Sequence, residues 1–335
     1  MACPDHQPHV LNDTPLVKKV RLAIETSAVK SLAWLLPKLS RRVIMLASQS
    51  IGYVAYLADF RGRETALENL RAAFRGIITE EQARRAAIAS YQTFARTFLD
   101  LFWSLRLTKE NASEYVTIRF DDPEVVNLAR ERGAIWVTPH FGNYELVSYI
   151  WGFQGFHYVA VAQDFKNPAL TAIFRNLRQG SGHTIISQDG AMLRLAKTLT
   201  RKGHVGLLTD LNIKPGKMAA VIDCFNLKTC VTTLHASLAI RYQVPIITGV
   251  CECMPDGGYV LHMHRALDPA NFDTPKKMTQ AVWDIFEQDI RRSPEAWLWM
   301  YKHWRYLPGK DIDRDPRYPA YANALRAFRE LMNQE

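Results

Sequence analysis

The stretch "GAIWVTPHFGNYELV", residues 133–147, joins a short apolar run to the start of a different pattern. The run "AIWV" is typical of a buried strand, and Pro139 and Gly142 then interrupt it. Asn143 is a residue type that favours the position before the first helical turn. The stretch therefore predicts a strand, a corner and a helix in direct succession.

His140 and Glu145 lie on either side of this corner. In one regular helix, five residues would turn them roughly 140° apart, and they could not cooperate. With Asn143 as the helix cap, Glu145 falls in the first helical turn, and a fold-back at Gly142 lets its carboxylate approach the imidazole. A carboxylate that holds one histidine tautomer makes the ring a general base. The spacing alone also allows a structural histidine beside a surface glutamate.

The sequence after residue 115 alternates between short β-branched runs and helical segments. The runs are "YVTIRF", "AIWVTPH", "YVAVAQ", "TIIS", "HVGLLTD", "AAVIDCF", "PIITGVCECM" and "YVLHMHRAL". Helices are predicted at about 122–131, 143–152, 168–180, 189–202, 230–242 and 274–292. This alternation predicts an α/β fold with a mixed, mostly parallel central sheet and covering helices.

The first part of the chain has a different character. Residues 1–15 read as a mobile leader, and residues 16–110 as a helical, membrane-associating region whose apolar stretches alternate with lysine and arginine. The longest apolar candidate, Val43 to Phe60, is short for a span and carries polar residues, whereas a bilayer needs about 20 mostly apolar residues. Helices lying in the membrane interface fit better. A spanning helix and buried core helices are the alternatives.

The composition favours an anionic partner. Lys and Arg number 42 against 33 Asp and Glu, a formal net charge of +9. Such a balance suits nucleic acid, an anionic membrane surface or a phosphorylated substrate. The basic residues form no run of five, and no zinc-finger spacing is present. We therefore expect no nucleic acid among the partners.

Two cysteines and two histidines near residue 257 raise the question of a metal. Cys251 and Cys253 share one face of a predicted strand, and His262 and His264 share one face of the next. A hairpin centred on Gly257 would pair Cys251 with Met263 and keep the four side chains apart, although a one-residue slip would change this. We expect no metal and no cofactor.

Several blocks resemble one known family. "TPHFGNYEL" is similar to the HX4E motif of the lipid A late acyltransferases, the lauroyl and myristoyl transferases within the HX4D/E lysophospholipid acyltransferase-like superfamily. Four more blocks resemble that family in the same order: "RETALENLRAAF", "NPALTAIFRNLRQGSG", "GHVGLLTDLN" and "RRSPEAWLWMYKHWRYLP". Ordered blocks over most of the chain are far more specific than one motif.

The resemblance implies a glycerolipid acyltransferase-like α/β domain at residues 111–310. We expect a helical tail at residues 311–335. The resemblance also implies an enzyme that moves an acyl chain from acyl-carrier protein or acyl-CoA, as co-substrate, to a hydroxyl of a membrane glycolipid. His140 would be the general base, oriented by Glu145. The motif contains no serine or cysteine nucleophile, so direct transfer is expected without an acyl-enzyme.

The resemblance adds further candidate residues around the base. Arg178 matches the family's functional arginine and could stabilise the oxyanion or clamp an acceptor phosphate. Arg175 lies three residues earlier on the same helix face and could assist. Asp210 ends a predicted strand and matches the family's aspartate. Asn143 completes the set of candidate substrate, oxyanion or phosphate contacts.

The expected location is the cytoplasmic face of a bacterial inner membrane, with peripheral attachment favoured over spanning. Leu211 stands where the family usually has glutamine, and "DCFNLK" replaces an expected Phe-Phe-Gly, so the acceptor is open. One alternative is a relative that acylates another membrane glycolipid, a phospholipid or an aminolipid. A second is a catalytically silent interaction protein on the same fold.

Overall fold

The computed structural model of the protein describes residues 15–308 and 315–334. Most of the predicted leader therefore lies outside the described residues. The described part of the chain begins with four helices, which bear out the helical character predicted for this region. They are α1 (Pro15–Leu35), α2 (Arg41–Ala58), α3 (Phe60–Ala73) and α4 (Glu80–Trp103).

A seven-stranded sheet forms the centre of the fold. Its strands are β1 (Val116–Phe120), β2 (Ala134–Thr138), β3 (Tyr158–Val161), β4 (Thr184–Ile186), β5 (His204–Leu208), β8 (Ile246–Cys253) and β9 (Tyr259–Met263). Their order across the sheet is β1-β9-β8-β2-β5-β3-β4. The five strands from β8 to β4 in this order run parallel to one another. Strand β9 is antiparallel to β8, and β1 is parallel to β9. The predicted mixed, mostly parallel α/β sheet is confirmed.

Helices cover both faces of this sheet. They are α5 (Val125–Arg132), α6 (Tyr144–Phe153), α7 (Pro168–Arg178), α8 (Ala191–Thr200), α9 (Leu234–Tyr242) and α10 (Pro275–Arg292). Ile135 and Val137 of β2 pack in the core that contains residues of α8, α9 and α10. Trp136, between them, packs in a second core with residues of α5, α6 and α7. Alternate side chains of β2 thus enter opposite cores, which explains its continuous apolar run.

The N-terminal helices pack directly on the sheet domain. The Thr97 hydroxyl of α4 donates to the carbonyl of Gly142 at 2.8 Å, and Arg96 donates to the carbonyls of Met254 and Gly258. Arg41 of α2 forms an ion pair with the buried Asp100 of α4. The predicted division at residue 110 falls in the connection between α4 and β1, but contacts across it hold both parts together.

The described residues contain only a bent pair of helices as a candidate for a membrane span. Among them, no single helix combines the length and apolar character needed to cross a bilayer. The helices α2 and α3 satisfy that test only when they are taken as a pair, and the pair is bent by 95°.

One predicted helix begins later than expected because a hairpin precedes it. Strand β6 (Ala219–Cys224) pairs antiparallel with β7 (Leu227–Thr232), so α9 starts at Leu234 instead of residue 230. The two residues of the turn, Phe225 and Asn226, have φ angles of 53° and 58°. Two consecutive positive φ angles are typical of the tight turn that matches the twist of paired strands.

The hairpin of β8 and β9 has a different register from the predicted one. Cys251 pairs with Leu261 instead of Met263, and Val250 pairs with His262. Met254 and Gly258, just beyond the strand ends, are joined by a backbone hydrogen bond of 2.9 Å. The loop between them is residues 255–257 and ends with Gly257 at φ +96°, the usual geometry of a three-residue hairpin. The turn is therefore centred on Asp256, and Cys251 and His262 project from opposite faces of the sheet.

The C-terminal tail folds back on the domain. Short strands β10 (Tyr306–Leu307) and β11 (Asn323–Ala324) pair with each other, and α11 (Arg326–Gln334) follows. Phe328 of α11 is fully buried against Ala219, Val221 and Cys230 of the β6–β7 hairpin. The tail thus contributes a strand and a small core of its own, in addition to the predicted helix.

Candidate active site

The corner after β2 has the predicted strand-to-helix form. The strand ends at Thr138, and the side chain of Asn143 caps α6 by accepting the Leu146 N–H at 3.0 Å. Gly142 makes the turn at φ +53°, and a Cβ atom there would overlap the carbonyl oxygen of Cys251. Only glycine fits this position, because both the backbone conformation and the close packing exclude a side chain.

His140 projects from the corner and contacts a carboxylate from the neighbouring strand. Its Nδ1 lies 2.7 Å from Oδ1 of Asp210, which follows the end of β5. The backbone N–H of His140 donates to Oδ2 of the same carboxylate at 3.0 Å. The two contacts hold both the ring and the main chain of His140 against Asp210.

Asp210 is buried and fully engaged. Besides the two His140 contacts it accepts the indole N–H of Trp297 at 2.9 Å. Burial alone raises the pKa of Asp210, but attraction and hydrogen bonding to His140 outweigh burial, so the pKa is lowered and the carboxylate is ionised. Burial likewise lowers the pKa of His140, and the charge of Asp210, its hydrogen bond and the charge of Glu145 together raise it above 6.5.

Glu145 forms a second pair beside the first. Arg178, at the end of α7, donates from Nε at 3.0 Å and from Nη2 at 2.6 Å to its two carboxylate oxygens. Both side chains are mostly buried, so the forked, charge-assisted contact is held in one geometry. Burial lowers the pKa of Arg178, but the charge and hydrogen bonds of Glu145 raise it overall.

His140 and the Glu145–Arg178 pair border a cavity of about 560 Å³. Its polar lining includes His140, Tyr144, Glu145 and Arg178. Its apolar lining comes mainly from the strands, including Trp136, Tyr158, Ala160, Ile247 and Met263, with Val147 from α6. A mostly apolar cavity with a few convergent polar groups is the usual form of a ligand site, and its volume is in the range of roughly 300–1,000 Å³ common for such sites.

A family model described as bacterial lipid A biosynthesis acyltransferase matches residues 14–306, most of the chain. The chain belongs to this family. No curated protein sequence matches it. Among solved structures, it is similar to the 1-acyl-sn-glycerophosphate (LPA) acyltransferase PlsC from Thermotoga maritima, with a TM-score of 0.35 and 13% identity over 77% of this chain and 99% of that one.

The predicted family and the predicted acyltransferase activity are thus confirmed, but one contact in this acyltransferase differs from expectation. The sequence suggested that Glu145 orients His140, whereas the carboxylate on Nδ1 belongs to Asp210 and Glu145 binds Arg178. The reason is topological. Strands β2 and β5 are neighbours, so their carboxyl ends bring His140 and Asp210 together.

Two other candidate residues, Arg175 and Asn143, do not line the cavity beside His140. Arg175 pairs with Asp164 at 3.3 Å, and both side chains are substantially exposed. Asn143 is buried, caps α6 and donates to Asp100 at 3.2 Å, so it supports the corner from behind and does not line the cavity. Contact of these two residues with substrate stays a prediction.

Two residues at the site of this acyltransferase were not among the candidates. Trp297 holds Asp210, and the Tyr144 ring contacts the His140 ring edge-on with centroids 5.0 Å apart. Tyr144 stands beside the motif residue Glu145, and that adjacency was a usable signal. Trp297 and Asp210 are 87 residues apart in sequence, so no local pattern indicated their contact.

Proposed function

We propose that this enzyme transfers a fatty acyl chain from acyl-carrier protein or acyl-CoA to a hydroxyl of a membrane glycolipid, of the lipid A precursor type. His140 is the general base, and Asp210 positions it. The single observation that carries this proposal is the 2.7 Å contact between His140 Nδ1 and the buried Asp210, at the edge of the cavity.

The contact selects the tautomer that catalysis needs. Because Asp210 is ionised, Nδ1 of the neutral ring carries the hydrogen and donates it to the carboxylate. The lone pair is then on Nε2, where it can accept a proton from a substrate hydroxyl. Asp210 also stabilises the imidazolium that forms when the proton arrives.

The reaction follows from this arrangement. Nε2 of His140 takes the hydroxyl proton while the hydroxyl oxygen bonds to the thioester carbonyl carbon. The tetrahedral intermediate collapses, the carbon–sulfur bond breaks, and the departing thiolate takes the proton back from Nε2. The products are an ester and a free thiol, and the histidine returns to its starting state.

Arg178 is the proposed anion contact. Its Nε and Nη2 bind Glu145, while its Nη1 makes no hydrogen bond to any residue in the described part of the chain. The remaining N–H groups can bind an acceptor phosphate or the oxyanion. Glu145 accordingly holds the guanidinium in place and adds negative charge near the imidazolium of His140.

The apolar part of the cavity is the proposed acyl site. Apolar side chains from α6 and the sheet line it, and the reacting thioester would lie where this lining meets His140. The net charge of +9 suits an acidic carrier protein as donor.

The N-terminal helices are the proposed membrane contact. Exposed apolar side chains on α1 and α2 include Leu16, Ile24, Trp34, Leu46 and Val54. Lysine and arginine residues lie between them in sequence, a combination that favours the interface of an anionic bilayer. On this basis the enzyme associates peripherally with the cytoplasmic face of a bacterial inner membrane.

The function is tested with the purified full-length protein, an acyl thioester and an under-acylated lipid A precursor. Mass spectrometry should find the acceptor heavier by one acyl group, and His140→Ala should reduce the rate by roughly 10³-fold. His157→Ala, which replaces an exposed histidine outside the site, is the matched control.

Full activity in His140→Ala would eliminate the proposed base. Product formed only with another glycolipid, a phospholipid or an aminolipid would retain the mechanism and reassign the acceptor. Flotation with anionic and with zwitterionic vesicles tests the location, and equal recovery with both would contradict an electrostatic contribution to binding.

A further inference from the structure

A second group of imidazoles and carboxylates lies two strands away from β2. Asp121, directly after β1, has one carboxylate oxygen 2.7 Å from His262 Nε2 and the other 3.1 Å from His264 Nδ1. The candidate ligand atoms of the three residues all lie within 4.8 Å of one another. Three side chains from two neighbouring strands therefore converge on one point.

This cluster is separate from the active site. Met263, between the two histidines in sequence, lines the cavity beside His140. Because side chains alternate along a strand, His262 and His264 project from the other face of the sheet. The face is the one that α10 covers, and Asp289 of α10 contacts His264 there.

A buried carboxylate supports the cluster from behind. Oδ2 of Asp289 lies 2.9 Å from Nε2 of His264, and the Asp289 side chain is 1% exposed. Arg292 donates to the other oxygen of Asp289 at 2.8 Å. A carboxylate on the far nitrogen of a histidine is the usual outer contact of a metal-binding imidazole, because it fixes the ring and increases its basicity.

The donor set fits a borderline divalent metal ion. Tetrahedral ligands at about 2.0–2.2 Å from zinc stand roughly 3.3–3.6 Å apart. The two imidazole nitrogens lie 2.7 and 3.1 Å from different oxygens of Asp121, closer than this range, and Asp121 can move to widen both spacings because its side chain is 41% exposed. The exposed side also provides an entry path and a fourth position for water.

We propose that Asp121, His262 and His264 bind one divalent transition-metal ion of the zinc class, with Asp289 orienting His264. Two imidazoles and one carboxylate with an open position are an established zinc donor set. The ion would bind the lone pairs of the two nitrogens that now face Asp121, and His264 would carry its hydrogen on Nε2 and donate it to Asp289. Bound there, it would join the ends of β1 and β9 and, through Asp289, the helix α10.

The test uses Co²⁺ as a spectroscopic probe on full-length protein that carries no histidine tag and has been treated with chelator. One equivalent should produce visible ligand-field absorption, and Zn²⁺ should displace it. Asp121→Asn and His262→Ala should each abolish this absorption, whereas Asp289→Asn should weaken binding by roughly 10- to 100-fold.

The controls separate this site from other donors. His157→Ala and Cys253→Ser should bind Co²⁺ like the unaltered protein. Zn²⁺ should also raise the unfolding temperature of the unaltered protein but not that of His262→Ala. Absorption that persists unchanged in His262→Ala, or an unaltered protein whose affinity is no higher than that of this variant, would overturn the proposal. Neither result would affect the acyl-transfer mechanism.

Discussion

One histidine–carboxylate group lies at the carboxyl ends of β2 and β5 and another on the sheet face that α10 covers, and their surroundings differ. His140 has one carboxylate partner, the fully buried Asp210, and borders a cavity. His264 has carboxylates on both ring nitrogens, and one of them, Asp121, is exposed. An imidazole with a carboxylate on only one ring nitrogen can exchange protons with a substrate at the other nitrogen. An imidazole with a carboxylate on each ring nitrogen is suited to carrying a fixed positive charge or to binding a metal ion.

The largest expected difference concerns acyl transfer after loss of each aspartate. Asp210→Asn should lower kcat by roughly 10³-fold, because an amide does not select the Nδ1–H tautomer or stabilise the imidazolium. Asp121→Asn should keep kcat within about twofold. Steady-state rates with a saturating thioester donor measure both. Similar losses in the two variants would remove the functional distinction between the groups.

Replacing a glycine should lower the free energy of unfolding more at the corner after β2 than at an ordinary turn. Gly142→Ala should lower the free energy of unfolding by about 3 kcal/mol or more, because positive φ and overlap with Cys251 add together. Gly155→Ala is the matched control, with φ +86° and no atom near its Cβ position, and should cost about 1 kcal/mol. Urea denaturation measures both, and equal costs would show that the corner tolerates a side chain.

The two arginines of α7 should differ in substrate affinity. Arg178→Lys should raise the KM of the acceptor by roughly tenfold, because an ammonium group cannot hold Glu145 with a fork and bind an anion at once. Arg175→Lys should change KM by less than about twofold, since its pair with Asp164 is exposed. An effect on kcat alone in Arg178→Lys would favour the oxyanion role over acceptor binding.

The smallest expected effect is a shift in pH dependence. His140 acts as a base only when it is neutral, and its pKa is raised, so kcat/KM should fall as the pH decreases through a value above 6.5. Glu145→Gln removes one of the charges that raise the pKa of His140 and should move the acidic limb to lower pH. The exposed Glu131→Gln is the control. An unmoved limb in Glu145→Gln would mean that Asp210 alone sets the pKa.

Local patterns in the sequence were sufficient for the secondary structure around the site. The apolar run before Pro139 predicted a buried strand, and Asn143 predicted the helix start, because both signals act within a few residues. The hairpin of β6 and β7 was missed because its turn, Phe225-Asn226, lacks the glycine that usually marks such turns. The predicted register of β8 and β9 was wrong because moving the centre of the turn by one residue changes every pair along the two strands.

The sequence by itself determined the corner, the placement of His140 and Glu145 on either side of it, and the family. Only the tertiary structure decided which carboxylate serves the imidazole. His140 and Asp210 are 70 residues apart and meet because β2 and β5 are adjacent strands. Asp121 and His264 meet for the same reason on β1 and β9. Spacing along the chain specifies which residues share a turn, whereas strand order and register specify which side chains share a hydrogen bond.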